Sequence, residues 1–89
     1  ESKKGDYKRI MLVDDDADFL KLLSTRLERD DYRVTTADSG EKALTLLQSE
    51  VPDVVVTDLR MDGMDGIELL DRLQHDHPSL PVKLRVVDK

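Results

Sequence analysis

The stretch IMLVDDD at residues 10–16 joins an apolar run directly to three aspartates, and VVVTD at residues 54–58 repeats that arrangement. Short apolar runs bounded by polar residues are typical of strands buried on both faces, as in a parallel sheet covered by helices. In such sheets, ligands bind beyond the carboxyl ends of the strands. The two stretches therefore predict a polar site at one edge of a parallel sheet.

The aspartates that follow these two runs favour a divalent cation. If the strands are neighbours, Asp14, Asp15 and Asp58 converge, and their charges repel one another unless a cation neutralises them. Ligands that are all carboxylate oxygens suit a hard ion such as Mg²⁺, which pairs a few carboxylates with waters and a phosphate. The pattern indicates Mg²⁺-dependent phosphoryl chemistry. The plainer alternatives are a helix N-terminus with surplus acid at residues 14–16 and a turn residue at Asp58.

Composition limits the classes of protein that remain. The 89 residues form one small domain, and with two tyrosines, one phenylalanine and no tryptophan its core must be aliphatic. A net charge of −6 argues against nucleic acid or an anionic membrane as a direct partner. The absence of cysteine excludes disulfides and thiolate metal sites. With no membrane-span or signal-peptide pattern, we expect a soluble cytoplasmic domain.

Hydrophobic periodicity predicts an α/β fold in the order βαβαβαβ. The predicted strands are residues 9–13, 32–37, 53–57 and from 81 onward, and the predicted helices are residues 16–29, 41–49 and 66–75. Right-handed crossovers then give a mostly parallel sheet with helices on its faces. The polar second strand is expected at an edge. We expect N-caps at Asp16, Ser39 and Asp65, a third helix that buries Ile67, Leu70 and Leu73, and positive-φ turns at Gly63 and Gly66.

Three motifs at these spacings resemble the receiver domain of a bacterial two-component response regulator: Val13-Asp14-Asp15, Asp58-Leu59-Arg60-Met61 and Met64-Asp65-Gly66. The resemblance covers Arg9 to Val82 and implies a flavodoxin-like, doubly wound fold, here truncated to about four strands and three helices. It implies that Asp58 is the phosphoacceptor, which takes a phosphoryl group from a sensor histidine kinase. It also implies a Mg²⁺ site formed by Asp14, Asp15, Asp58 and the backbone carbonyl of Arg60.

The same resemblance implies a signalling switch that catalyses only its own phosphorylation, rather than an enzyme with turnover. The Asp-Leu-Arg-Met motif at residues 58–61 is reminiscent of receivers joined to transcription activators that work with the alternative sigma factor of nitrogen regulation. We therefore expect the parent protein to regulate transcription. The alternatives from other classes are a Mg²⁺-dependent phosphatase and a switching-defective interaction fragment.

Two related acidic motifs fit poorly. An EF-hand loop counted from Asp58 would have Arg60 at its third position and Leu69 where a bidentate glutamate is required. Haloacid-dehalogenase-like phosphatases place a second aspartate two residues after the first, and Arg60 occupies that position. Both comparisons favour the receiver over a calcium site or a phosphatase.

The chain departs from the family towards its end. We divide it into a flexible lead-in at residues 1–8, a truncated receiver at residues 9–82 and a tail at residues 83–89 that resembles vector-derived sequence. The family's switch Ser/Thr, expected near Val86, and its strand-five lysine have no counterparts, so we expect impaired switching. An exposed fourth strand predicts a dimer, a domain-swapped assembly or a poorly stable monomer.

Overall fold

The computed structural model describes residues 8–85, in which strands and helices alternate in the predicted order. Residues 1–7 of the predicted lead-in and residues 86–89 of the predicted tail lie outside that range. The second group includes Val86, near which the family's switch Ser/Thr is expected. The boundaries differ from the predicted ones by one or two residues, which is ordinary for element ends. The elements are β1 (Arg9–Val13), α1 (Ala17–Arg29), β2 (Arg33–Ala37), α2 (Gly40–Leu47), β3 (Val54–Asp58), α3 (Gly66–Asp76) and β4 (Val82–Arg85).

The four strands form one parallel sheet in the order β2-β1-β3-β4. The chain first adds β2 on one side of β1, and then β3 and β4 on the other side. This reversal of direction is the hallmark of a doubly wound sheet, and the carboxyl ends of β1 and β3 meet there. The predicted α/β fold is confirmed, as are the edge position of β2 and the adjacency of β1 and β3.

The two faces of the sheet are covered differently, and we name them by their helices. The α1 face carries a small buried cluster of Ile10, Leu12 and Leu20, with partly buried side chains around it. The α2/α3 face carries a larger cluster to which the loop after β3 also contributes. Its buried members are Met11, Val13, Ala37, Ala43, Leu47, Val55, Met61, Met64, Leu69 and Leu73.

Each helix begins one residue after the N-cap that the sequence predicts. A side-chain oxygen of each cap accepts the backbone N–H three residues later: Asp16 from Phe19 at 3.1 Å, Ser39 from Lys42 at 3.0 Å and Asp65 from Glu68 at 2.9 Å. These bonds satisfy amides that a helix leaves without internal partners. Within residues 8–85, no helix has the length and apolar character needed to cross a lipid bilayer.

The buried side of α3 differs from the predicted one. Ile67 is 53% exposed, whereas Leu69 and Leu73 are fully buried and Leu70 is only partly buried. The prediction that Ile67 packs in the core was therefore wrong. The first helical residue, Gly66, lies against the backbone of Asp58 and Leu59, on the same side of the helix as Leu69 and Leu73. Spacing alone could not specify the rotation of the helix, because Leu69 and Leu70 were both available for the core.

Candidate functional site

Three aspartates meet at the carboxyl ends of β1 and β3. Leu12 lies opposite Val56 in the parallel ladder, so continuing the register by two residues sets Asp14 beside Asp58. Carboxylate oxygens of Asp14, Asp15 and Asp58 all lie within 4.8 Å of one another. The predicted convergence of the acids is confirmed, while the chemical role of each carboxylate stays a prediction.

Asp14 is the buried member of this acidic cluster, with only 3% of its surface exposed. Its backbone N–H donates to the Ala37 carbonyl at 3.1 Å, which ties the end of β1 to β2. One carboxylate oxygen, Oδ1, accepts the Asp16 amide at 2.9 Å, and the other, Oδ2, accepts Nη2 of Arg85 at 3.1 Å. Both oxygens of the buried carboxylate therefore have partners inside the chain.

Burial raises the pKa of Asp14 above its ordinary value, and the negative charges of Asp58 and Asp15 act in the same direction. The hydrogen bond from the Asp16 amide and the positive charge of Arg85 oppose the increase without cancelling it. Charge on this carboxylate is therefore unfavourable in the folded chain, and a cation bound among the three aspartates would relieve it.

The other two aspartates are more accessible than Asp14. Asp15 is exposed, and its Oδ2 lies 3.4 Å from the backbone amide of Asp62 in the loop after β3. Asp58 is half-buried and is the last residue of β3, whereas the sequence predicted that the strand would stop one residue earlier. Its neighbour Thr57 is fully buried. Asp58 is thus held on an inner strand of the sheet yet remains open to solvent.

Glycine allows the loop after β3 to pass close to the acidic cluster, for two different reasons. Gly63 has a φ of +74°, which confirms the predicted positive-φ turn there. Gly66 does not have a positive φ, so that part of the prediction was wrong. A Cβ at Gly66 would instead overlap the Asp58 carbonyl oxygen and lie 2.9 Å from Cα of Leu59. Glycine is required at position 66 because backbone touches backbone.

The other residues of the loop after β3 add no carboxylate to the acidic cluster. Met61 and Met64 are buried in the apolar cluster of the α2/α3 face. Arg60 lies two residues beyond β3 with an exposed side chain. The predicted use of its backbone carbonyl as a metal ligand stays a prediction.

Arg85 is the residue that sequence reasoning missed. It lies in the predicted tail at residues 83–89, to which no functional role was assigned. In the fold, β4 places Arg85 directly opposite Asp58, and its guanidinium reaches across to Asp14. The missed signal was register, because once β4 pairs with β3, alternation puts Arg85 on the same face as Asp58.

The donor set of the acidic cluster fits a hard divalent cation. All three groups offer carboxylate oxygen, and within residues 8–85 no other group of three or more acidic, histidine or cysteine side chains converges in this way. Mg²⁺ is held in proteins by one or two carboxylates together with waters and phosphate oxygens. The arrangement can thus hold such an ion beside Asp58, a carboxylate of the kind that acts as a nucleophile towards phosphoryl groups.

Comparison with curated proteins identifies relatives among transcriptional regulators. The chain is 48% identical over 73 residues to the transcriptional regulatory protein GlrR of Escherichia coli, a match that covers 82% of the chain and 16% of that protein. It is 40% identical over 73 residues to the DNA-binding transcriptional regulator NtrC of Salmonella typhimurium, again covering 82% and 16%. The chain thus spans about one sixth of the length of these relatives.

Solved structures of receiver domains match the fold. The N-terminal domain of a response regulator receiver protein from Methanoculleus marisnigri superposes with a TM-score of 0.82 at 39% identity, covering 86% of this chain and 64% of that one. The response regulator protein TrrA of Thermotoga maritima, solved in complex with Mg²⁺-BeF, superposes with a TM-score of 0.77 at 32% identity, covering 86% and 65%.

The match to a known family extends over nearly the whole described fold. Residues 10–86 match the family of response regulator receiver domains. This span includes the acidic cluster, the loop after β3 and residues of all four strands of the sheet. The resemblance inferred from the three sequence motifs is therefore confirmed, and this chain belongs to the response regulator receiver domain family.

Proposed function

We propose that the chain is the phosphoacceptor domain of a transcription regulator and takes a phosphoryl group from a sensor histidine kinase onto Asp58. The observation that carries this proposal is the meeting of three carboxylates within 4.8 Å at the ends of two inner strands. Membership of the receiver family and similarity to transcriptional regulators support it.

In the proposed reaction, a carboxylate oxygen of Asp58 attacks the phosphorus atom of a phosphohistidine. A P–O bond forms as the P–N bond breaks, and the imidazole nitrogen of the kinase leaves with the electron pair and gains a proton. The step forms an acyl phosphate on Asp58 and needs no oxidant or reductant. Its location on β3 holds the nucleophile in place, because both neighbouring strands hydrogen-bond to that strand.

Asp14, Asp15 and the Arg60 carbonyl are proposed to hold Mg²⁺ together with Asp58. The bound ion would neutralise charge on the transferring phosphoryl oxygens and so lower the barrier to attack. Asp14 contributes a buried carboxylate whose charge the fold alone does not fully stabilise. Asp15 contributes an exposed one that entering solutes can reach.

The proposal is tested by incubating the full chain with acetyl phosphate and Mg²⁺ and measuring its mass. One phosphoryl group per chain is expected, and Asp58→Asn or excess EDTA should abolish it. Asp62→Asn is the matched control, because that exposed loop carboxylate lies outside the acidic cluster, and it should label normally. Labelling of Asp58→Asn at the wild-type level would contradict the proposal.

A parallel incubation with a phosphomonoester separates a switch from a phosphatase. We propose that the chain undergoes a single covalent event and does not turn over as an enzyme. Continuous release of phosphate from a phosphomonoester such as p-nitrophenyl phosphate would instead indicate a phosphatase. A chain that folds yet neither binds Mg²⁺ nor accepts phosphate would favour an interaction fragment.

We also propose that the outer edge of β4 pairs with a second copy of this chain. Among the described residues, β4 pairs only with β3, and its other side carries no strand. Unpaired strand edges are templates for addition of another strand. Light scattering after size exclusion should give twice the chain mass at high concentration. A monomer at all concentrations, with a sharp thermal transition, would exclude this self-association.

A further inference from the structure

The guanidinium of Arg85 lies inside the acidic cluster rather than in solvent. Its Nη2 is 3.1 Å from Oδ2 of Asp14, a side chain that is only 4% exposed. Its Cζ lies 3.8 Å from the centroid of the Phe19 ring, so the flat group rests on α1. Arg85 is therefore held by two separate contacts, one with a buried carboxylate and one with an aromatic face.

The backbone holds Arg85 in this position as well. Arg85 pairs with Asp58 across the β3–β4 ladder, and its carbonyl accepts the Leu59 amide at 3.1 Å. Alternation along the strands then places Asp14, Asp58 and Arg85 in one row across three adjacent strands, all on the α1 face. The positive charge is built into the row of acids rather than reaching it from a distant loop.

The positive charge of Arg85 partly neutralises the negative charge of the acidic cluster. Asp14 Oδ1 accepts the Asp16 amide and Oδ2 accepts Arg85, so a cation that binds Asp14 must share its carboxylate with Arg85. Two cations beside one carboxylate oxygen repel each other strongly, because little water screens a pair at that depth. Binding of a divalent ion must either displace the guanidinium from Asp14 or overcome that repulsion.

We propose that Arg85 is a tethered counter-cation that competes with Mg²⁺ for Asp14 and lowers the affinity of the acidic cluster for divalent ions. The inference rests on the proposed function, since it concerns the same metal site. It predicts that the metal-free domain is stabilised by Arg85. It also predicts that metal binding moves the guanidinium and, through it, the end of β4.

The contacts of the guanidinium are compatible with its displacement from Asp14 by a metal ion. Its Nε is buried and has no hydrogen-bond partner, so the group is not locked by a complete set of bonds. Its side chain is 27% exposed, and the edge position of β4 leaves room to turn outward. Turning outward would hydrate the guanidinium further, whereas the carboxylate of Asp14 is only 4% exposed.

The test compares Mg²⁺ affinities of wild type, Arg85→Met and Lys83→Met by titration of amide NMR signals in the full chain. Both substitutions remove one positive charge from the same face of β4, but Lys83 is exposed and lies opposite Val56, one pleat away from the acids. Arg85→Met should bind Mg²⁺ at least about tenfold more tightly than wild type. Lys83→Met should change the affinity by less than about threefold, because salt screens an exposed charge.

Two further variants keep the test decisive if Arg85→Met folds poorly. Arg85→Gln removes the charge but keeps polarity and should gain affinity as methionine does, whereas Arg85→Lys keeps the charge and should stay closer to wild type. Thermal unfolding in EDTA should show lower stability for both neutral variants, and Mg²⁺ should raise their melting temperatures more than that of wild type.

The possible results separate this inference from the proposed function. Equal Mg²⁺ affinities for wild type and the neutral Arg85 variants, with binding intact, would overturn the role of Arg85 and leave the phosphoacceptor proposal standing. No Mg²⁺-dependent shift near Asp58 in any variant would overturn both. A gain of the same size in Lys83→Met would also overturn the inference, because it would reflect net charge alone.

Discussion

The α2/α3 face and the α1 face of the same sheet differ in how many apolar side chains they bury and in whether they hold charged ones. The α2/α3 face buries ten apolar side chains between two helices, a loop and the sheet, and its buried polar side chain, Thr57, carries no charge. The α1 face buries three apolar side chains, and Arg85, the buried Asp14 and Asp58 line a small pocket at its end together with Phe19. One face provides most of the packing, and the face with the sparser cover is the one that admits charge.

This difference explains how a small domain can carry a costly acidic site. Buried carboxylates destabilise a fold unless hydrogen bonds and opposite charges compensate them. Asp14 receives one amide and one guanidinium, and both compensating groups lie at the α1 face or the strand ends. The dense α2/α3 face needs no such compensation and can supply stability to the whole sheet.

The largest expected effect comes from a cavity in the α2/α3 face. Leu69→Ala removes a fully buried side chain and should lower the free energy of unfolding by about 2–5 kcal/mol. Leu23→Ala, on the partly buried side of α1, should cost clearly less. Urea unfolding of both variants measures the contrast. Equal losses would mean that the two faces contribute alike to stability.

The contact between α3 and the end of β3 is tested next. Gly66→Ala should destabilise the fold by more than the roughly 1 kcal/mol that alanine normally gains over glycine in a helix, because its Cβ overlaps the backbone at Asp58. Gly40→Ala is the matched control. Its Cβ would lie 2.9 Å from the sulfur of Met64, a flexible side chain that can shift. If Gly40→Ala proved the more harmful, the proposed backbone contact would not be the constraint.

A smaller effect is expected from charge on the α1 face. In EDTA at neutral pH, Asp14→Asn should be more stable than wild type, because the raised pKa means that the fold disfavours ionised Asp14. The folded state then binds more protons than the unfolded state between the ordinary pKa of 3.8 and the raised value. Wild-type stability therefore falls, relative to the variant, as pH rises through that window.

The measurement for this charge effect is the difference in unfolding free energy between Asp14→Asn and wild type at a series of pH values. The difference should be largest above the window and should shrink towards zero below pH 3.8. Asp62→Asn serves as the control for loss of one exposed negative charge. A difference that grew on acidification would contradict the assigned direction.

The smallest effect is expected on the outer side of α1. Leu22 is 72% exposed, so Leu22→Lys should change the free energy of unfolding by no more than about 0.5 kcal/mol. Chemical denaturation checks this value. A larger loss of stability would show that Leu22 packs against other residues. The difference in burial between the two faces of the sheet would then be smaller than the described residues indicate.

Much of the fold followed from local pattern. Continuous apolar runs, period-two alternation and three- to four-residue spacings predicted the order of the elements. Asp16, Ser39 and Asp65 identified the helix starts because short polar side chains cap N-termini. The acids at residues 14, 15 and 58 were found because they follow the two most apolar strands. In each case the deciding interaction lies within a few residues along the chain.

Only the tertiary structure decided which side chains meet across elements. Leu69 rather than Ile67 is buried because it lies on the same side of α3 as Gly66, which packs on the backbone of Asp58. Arg85 enters the acidic cluster because β4 pairs with β3 in one particular register. Sequence alone determined the elements and the acidic ends of the strands, whereas rotation and register depend on contacts between residues far apart in the chain, which no local pattern encodes.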